Sequence, residues 1–106
     1  MARLLADELG QEVSRSLLNG GHDLTGIPGW AVEVKRHETL SLGTWWTQAE
    51  IQAKRADARP ALLYRQSRQP WRAVVRLSDI QPDLVGNHLA TLTLAGFCLL
   101  VRESLP

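Results

Sequence analysis

The chain has 106 residues, of which 44% are hydrophobic and 22% charged, as in ordinary single globular domains. Its one cysteine excludes an intramolecular disulfide and favours a reducing, cytoplasmic location. The longest apolar run, residues 91–101, is shorter than the roughly 20 residues that cross a bilayer, so we expect no membrane contact. The net charge of +1 hides a separation, because residues 35–76 carry nine lysines and arginines against three acids, a net charge of +6. That stretch predicts either a basic face for a polyanion or a solvated charged surface.

The first third of the chain predicts a helix followed by short strands. Apolar residues at helical spacing indicate the last turns of an amphipathic helix over residues 2–10. The Gly20-Gly21 pair signals a turn. The segments with strand character are residues 12–18, residues 22–24 and, most strongly, residues 30–36.

The remainder predicts one long helix and a hairpin. Residues 44–59 are compatible with a helix, which Pro60 would end. Residues 61–65 and 71–77 then read as two paired strands. Residues 89–102 are either a strand or a helix, because periodicity does not separate the two in short apolar runs.

The order of these elements predicts a mixed α/β sandwich built on one sheet. We expect residues 1–106 to form one domain. Its core spans about residues 2–77, and residues 78–106 complete either that core or a dimer interface.

The strand over residues 30–36 carries an unusual pair of charges. Alternation puts Glu33 and Lys35 on one face, with Val32 and Val34 on the other. Two opposite charges on an otherwise apolar strand are costly unless that face is wet or the charges have a function. The alternative is a surface ion pair of little worth to stability.

The preceding turn brings a second acid towards this pair. If residues 25–29 form the hairpin turn, Leu24 lies opposite Trp30. Asp23 then lies opposite Ala31 and diagonal to Glu33, with the two backbones about 7–8 Å apart. Two carboxylates at that separation suit a bridging divalent cation.

This constellation fits metal-dependent hydrolysis of a phosphodiester. Asp23 and Glu33 supply the hard oxygen ligands that Mg²⁺ prefers, and the backbone carbonyl of Val34 is a candidate third ligand. Lys35 would orient the attacking water and stabilise the developing negative charge. Gln48, in the helix that follows, would orient the same water or the strand.

Three segments together resemble a known family: GHDLTGIPGWAVEVKR, WWTQAEIQA and RPALLYRQSRQPWRAVV. They look like the small phage and prophage nucleases of the PD-(D/E)XK, or restriction-endonuclease-like, superfamily that are described as Holliday-junction-resolvase-like. The resemblance covers about residues 2–77 and implies an α/β fold with a mixed central sheet flanked by helices. It also implies a DNA substrate, dependence on Mg²⁺ with Mn²⁺ as a substitute, and a bacterial host cell. Asp23 matches the family aspartate, Glu33 and Lys35 match its (D/E)XK pair, and Gln48 matches the glutamine of the following helix.

One departure from the family pattern concerns the first helix. Family members have a longer helix with a glutamate that supports metal binding, and here the chain begins close to the end of that helix. Glu8 or Glu12 would have to substitute, although both are more simply exposed acids. Either the sequence is a shortened form that lacks the start of this helix, or the site is degraded. A degraded site would leave a DNA-binding or assembly domain that keeps the fold.

Basic and aromatic residues outside the constellation have two interpretations each. One of the adjacent Trp45 and Trp46 should enter the core, and the other should be exposed, either as a dimer anchor or for stacking on a base. Four arginines are either phosphate contacts or solvated charges: Arg36, Arg65, Arg68 and Arg72.

The leading hypothesis is a Mg²⁺-dependent endodeoxyribonuclease that acts on branched or structured DNA. We expect a homodimer, because two active sites related by a two-fold axis suit a symmetric junction. The alternative from another class is the catalytically impaired DNA-binding or assembly domain. A hydrolase of another phosphodiester, such as RNA, is a third hypothesis.

Overall fold

The structure, a computed structural model, describes the backbone of residues 14–16 and 23–25 and the complete residues 27–36 and 39–104. The expected helix over residues 2–10, the Gly20-Gly21 turn, and Glu8 and Glu12 lie outside these ranges. The strands are β1 (Ser14–Ser16), β2 (Asp23–Thr25), β3 (Trp30–Arg36), β4 (Arg59–Arg65), β5 (Arg72–Arg76) and β6 (Leu89–Thr93). The helices are α1 (Leu42–Ala56), α2 (Leu77–Ile80) and α3 (Leu94–Ser104).

The described strands form one mixed sheet in the order β1-β2-β3-β4-β5-β6. Strands β3 and β4 are parallel and α1 connects them, whereas the other neighbouring pairs are antiparallel. Parallel neighbours require such a crossover, and a helix is its usual form. The predicted α/β architecture of a mixed sheet flanked by helices is confirmed.

Each face of the sheet packs against a different helix. On one face, α3 covers the apolar side chains of β3, β4 and β5, including the fully buried Leu63 and Val75. On the other face, α1 packs Trp45 and Ala49 against Leu62 of β4 and Val74 of β5. The alternation of β4 therefore serves two cores, which explains why its sequence is apolar almost throughout.

Helix α1 is shorter at its end than residues 44–59 predict. It begins at Leu42 and ends at Ala56, and Asp57 adopts a left-handed conformation with φ of 51°. The Ala58 N–H then donates to the Ala53 carbonyl at 2.9 Å, a hydrogen-bonding pattern typical of helix ends. The prediction that Pro60 ends the helix is wrong, because Pro60 is the second residue of β4 and pairs with β3.

The segment from residue 89 onwards is a strand followed by a helix. Strand β6 gives way to α3 at Thr93, whose Oγ1 accepts a hydrogen bond from the Gly96 N–H at 3.0 Å, as in a side-chain cap. Phe97, Cys98 and Val101 of α3 are fully buried, so this part of the chain supplies core. The prediction of a strand over residues 71–77 was two residues too long. No helix in the described ranges is both long and apolar enough to cross a membrane.

Two glycines provide a matched test of this local structure. Gly29 has a φ of +79°, and a Cβ there would lie 3.0 Å from the guanidinium of Arg59. We expect Gly29→Ala to lower the free energy of unfolding by about 1–2 kcal/mol. Gly43 lies in α1 with nothing within 4 Å of an added Cβ, so Gly43→Ala should raise it by up to about 1 kcal/mol. Urea denaturation of both variants measures these effects, and equal signs would contradict the prediction.

Candidate active site

Strand β3 carries a buried ion pair on the face covered by α1. Within the completely described residues, Glu33 is the one charged side chain in the buried class, at 4% exposure. The Lys35 Nζ lies 3.3 Å from its Oε1, and the Glu33 and Lys35 side chains are 5% and 18% exposed. The alternative of a solvated surface pair is therefore wrong. Burial of a carboxylate costs several kcal/mol before its partners compensate, so this position is not an ordinary surface acid.

The sheet register explains why the pair is buried. Glu33 lies beside Leu62 of β4, which is fully buried, and Lys35 lies beside Tyr64. The same face of β4 is packed against Trp45 of α1. Glu33 therefore lies at the margin of an apolar core, where low polarity strengthens its interaction with any nearby cation.

Strand β2 lies beside β3, but in a different register from the one predicted. Leu24 pairs with Val32, so the predicted pairing with Trp30 is wrong by two residues. The backbone N–H of Trp30 donates to the Ile27 carbonyl at 3.2 Å. On the other edge of β3, Trp30 pairs with Arg59 of β4. A shift of two residues preserves the alternation of faces. Continuing the observed pairing by one residue puts the Asp23 backbone level with Glu33 rather than diagonal to it.

The predicted site residues Gln48 and Val34 do not share the buried face that holds this pair. Gln48 is exposed on α1, while the buried stripe of that helix is formed by Trp45, Ala49 and Ala53. The Val34 side chain is buried in the opposite core, which leaves its backbone carbonyl as the group that it offers. Among the described residues, no group of three or more His, Cys, Asp or Glu side chains is arranged to hold a metal ion.

The predicted DNA-contacting arginines share one end of the sheet. Arg36 and Arg65 are the paired last residues of the parallel strands β3 and β4. Arg68 lies in the following turn with a φ of +63°, and the Arg65 Nε donates to the Gln69 carbonyl at 3.0 Å. Arg72 begins β5. The structure thus brings these cations to the end of β3 at which Lys35 lies.

Tyr64 belongs to this end of the sheet, and sequence reasoning missed it. It lies between Lys35 and Arg72 in the sheet register, and its half-buried ring is 6.4 Å from the Trp45 ring between centroids. The available signal was the alternation of β4, which places every second side chain on the Lys35 face. That signal needs the parallel pairing of β3 with β4, which no local pattern supplies.

The two adjacent tryptophans are both partly or fully enclosed. Trp45 is 6% exposed and belongs to the core under α1. Trp46 is half-buried and lines a groove with Glu50, Arg76, Asn87 and Leu89. The expectation of one core tryptophan is confirmed, whereas the expectation of an exposed neighbour is wrong, because Trp46 packs against the side of the same core.

Comparisons with known proteins relate the chain to a family of nucleases and to a solved structure. Residues 1–95 match a family model described as "Phage putative PDDEXK endonuclease". A comparison with curated proteins gave no match. Among solved structures, the chain is similar to Hjc, a Holliday junction resolvase from the archaeal hyperthermophile Archaeoglobus fulgidus, with a TM-score of 0.45 and 19% identity. That alignment covers 95% of this chain and 96% of the resolvase.

Proposed function

The chain belongs to the phage PDDEXK endonuclease family, and on this premise we propose that it is a Mg²⁺-dependent endodeoxyribonuclease that acts on branched or structured DNA. Membership confirms the predicted nuclease class and the dependence on a divalent metal. The choice of Mg²⁺, the form of the DNA and the roles of individual residues are our proposal.

The buried Glu33–Lys35 pair is the observation that carries this proposal. A carboxylate and an ammonium 3.3 Å apart, both largely shielded from water, act in surroundings where charges interact more strongly than in bulk solvent. Charges in such surroundings are costly unless their position has a function. The pair also lies on the strand that the Asp23 backbone flanks.

The donor groups fit a hard divalent cation. Glu33 would supply a carboxylate oxygen, Asp23 a second, and Val34 a backbone carbonyl, which are the ligand types that Mg²⁺ takes together with waters. When bound, the cation supplies Lewis-acid chemistry that polarises the phosphodiester. The core beside Glu33 would restrict the conformations open to this carboxylate.

Lys35 has two functions in this proposal. Its ammonium lies 3.3 Å from the Glu33 carboxylate and compensates part of that buried charge, and it can donate hydrogen bonds to a phosphate oxygen or to the attacking water. Stabilisation of the negative charge that develops on the phosphate is the larger contribution to rate. Gln48 is proposed to contact the water or the DNA from the exposed surface of α1, because it does not face the core.

The arginine-rich end of the sheet would hold the DNA backbone beside this pair. Arg36, Arg65, Arg68 and Arg72 add positive charge next to Lys35, and such charge attracts phosphates without regard to sequence. We further propose a homodimer, because paired sites would address the two-fold symmetry of a four-way junction, and action in the cytoplasm of a bacterial host.

Cleavage assays test the proposed function directly. The protein is incubated with Mg²⁺, Mn²⁺ or EDTA and with an end-labelled four-way junction, a linear duplex or a single strand. We expect cleavage of the junction in either metal, slower cleavage of the duplex, and none in EDTA. DNA binding without cleavage in both metals would overturn the proposal and favour the impaired binding domain. Equal cleavage rates on junction and duplex would contradict a preference for branched DNA.

A further inference from the structure

Three strands present one row of polar side chains beside the proposed metal-binding carboxylate. Lys35 of β3, Tyr64 of β4 and Arg72 of β5 are successive partners in the sheet register, and register partners lie on the same face. Neighbouring strands are about 4.8 Å apart, so the backbones of Lys35 and Arg72 are separated by about 10 Å. The row therefore extends from the ion pair across the sheet towards β5.

A cleft opens at the far end of this row. Leu40, which precedes α1, and Pro70 give it apolar walls, and side-chain amides and one cation give it polar groups. Its lining consists of Leu40, Tyr64, Gln66, Gln69, Pro70 and Arg72. This lining is more polar than that of a typical small-molecule pocket, and it suits a charged, polar ligand.

The polar ends of Arg72 and Tyr64 are available to a ligand. Within the described residues, the Arg72 guanidinium forms no ion pair or hydrogen bond, and the same holds for the Tyr64 hydroxyl. The other arginine of β5 is used differently, since the Arg76 Nε donates to Asp79 at 3.0 Å. A half-buried guanidinium without a protein acceptor is a natural partner for a phosphate, which it can bind through two hydrogen bonds.

We propose that this cleft binds the nucleotide next to the scissile phosphodiester, with Arg72 on its phosphate and the base or sugar between Leu40 and Tyr64. The proposal rests on the proposed DNA substrate and deepens it. The bound DNA strand would then lie along the row from Lys35 to Arg72 and cross β4. Arg72 is here a substrate-binding residue, and Tyr64 lies between the two sites.

A double-mutant cycle that combines protein and DNA substitutions tests this contact through binding affinity, without cleavage. Affinities of wild type and Arg72→Gln are measured in EDTA for junctions in which single phosphates are replaced, one at a time, by uncharged methylphosphonates. We expect Arg72→Gln to weaken binding about tenfold and to reduce the slope of log K against log salt by about 0.9. At one phosphate next to the mapped cut, the uncharged linkage should weaken junction binding by the wild type. It should leave the affinity of Arg72→Gln unchanged.

Arg55→Gln is the matched control, because Arg55 lies exposed in the last turn of α1, away from the cleft. The nucleotide site would be overturned if the affinity losses caused by Arg72→Gln and by each uncharged linkage were additive at every phosphate. It would also be overturned if Arg72→Gln and Arg55→Gln lost the same affinity. Neither result would contradict metal-dependent cleavage. Coupling at one phosphate without any cleavage by wild type would support the contact and overturn the nuclease proposal instead. Replacing the adjacent base by an abasic site should weaken wild-type binding. An unchanged affinity would contradict a position of the base in the cleft.

Discussion

Glu33→Gln is expected to lower the rate of metal-dependent DNA cleavage at least about a hundredfold, because even the groups that support a metal ligand are worth 10–100-fold. Glutamine keeps the size of glutamate but removes the charge that a divalent cation needs. The amide remains beside the fully buried Leu62 without a cavity. Lys35 retains 18% exposure, and its flexible stem allows the ammonium to move towards water.

The variant separates catalysis from DNA binding. Affinity for the junction in EDTA should stay within about twofold of wild type, since Glu33 lies beneath α1 and adds no positive charge. Glu50→Gln is the control, because Glu50 is an exposed glutamate of α1 and its loss should leave cleavage unchanged. Undiminished cleavage by Glu33→Gln would remove this carboxylate from the active site.

The strands around the candidate site could be predicted because their signals are local. The alternation over β3 placed Glu33 and Lys35 on one face before any contact was known. The turn between β4 and β5 was marked by polar residues and Pro70, and both strands are found there. These features depend on the preferences of neighbouring residues, which the sequence states directly.

Features that depend on distant partners were beyond the same reasoning. The pairing of Leu24 with Val32 depends on how the chain turns before β3, where the Trp30 backbone N–H donates to the Ile27 carbonyl at 3.2 Å. Tyr64 enters the candidate site through the parallel pairing of β3 with β4. The depth of Glu33 is a further case, because it results from α1 folding back over the sheet.

The choice between strand and helix over residues 89–102 stayed open because the segment contains both. Its apolar residues fit neither period throughout, since β6 alternates between exposed and half-buried side chains and α3 buries Phe97 and Val101 one turn apart. The change occurs at Thr93, a residue type that caps helices. A capping threonine inside an apolar run was the available signal for the boundary.

Lys35→Ala is expected to lower both activity and stability. Removal of the ammonium should reduce cleavage about 10²–10³-fold, the usual effect of losing one group that stabilises transition-state charge. It also leaves the 5% exposed Glu33 side chain without the cation 3.3 Å away. Breaking a buried ion pair from one side costs about 3–5 kcal/mol, so the free energy of unfolding in EDTA should fall by about 3 kcal/mol.

The second substitution Glu33→Gln shows whether this loss has an electrostatic cause. If loss of the ammonium beside the Glu33 carboxylate destabilises Lys35→Ala, the double variant should be more stable than Lys35→Ala alone, and the coupling between the two sites should exceed about 1 kcal/mol. Lys54→Ala, at an exposed position of α1, controls for the loss of a lysine. Equal stabilities of the single and double variants would contradict an electrostatic role of the pair.

Divalent metal should partly replace the missing ammonium. A cation bound at Glu33 stabilises the folded state in proportion to its occupancy, and in Lys35→Ala it also neutralises a buried carboxylate. We therefore expect Mg²⁺ or Mn²⁺ to raise the melting temperature of Lys35→Ala by more than that of wild type, with no rise in the double variant. About 1 kcal/mol corresponds to roughly 4–8 °C in a domain of this size, which thermal unfolding resolves. A melting temperature of Lys35→Ala that is indifferent to both metals would show that Glu33 does not bind the cation, because metal binding and relief of the buried charge predict the same direction of change.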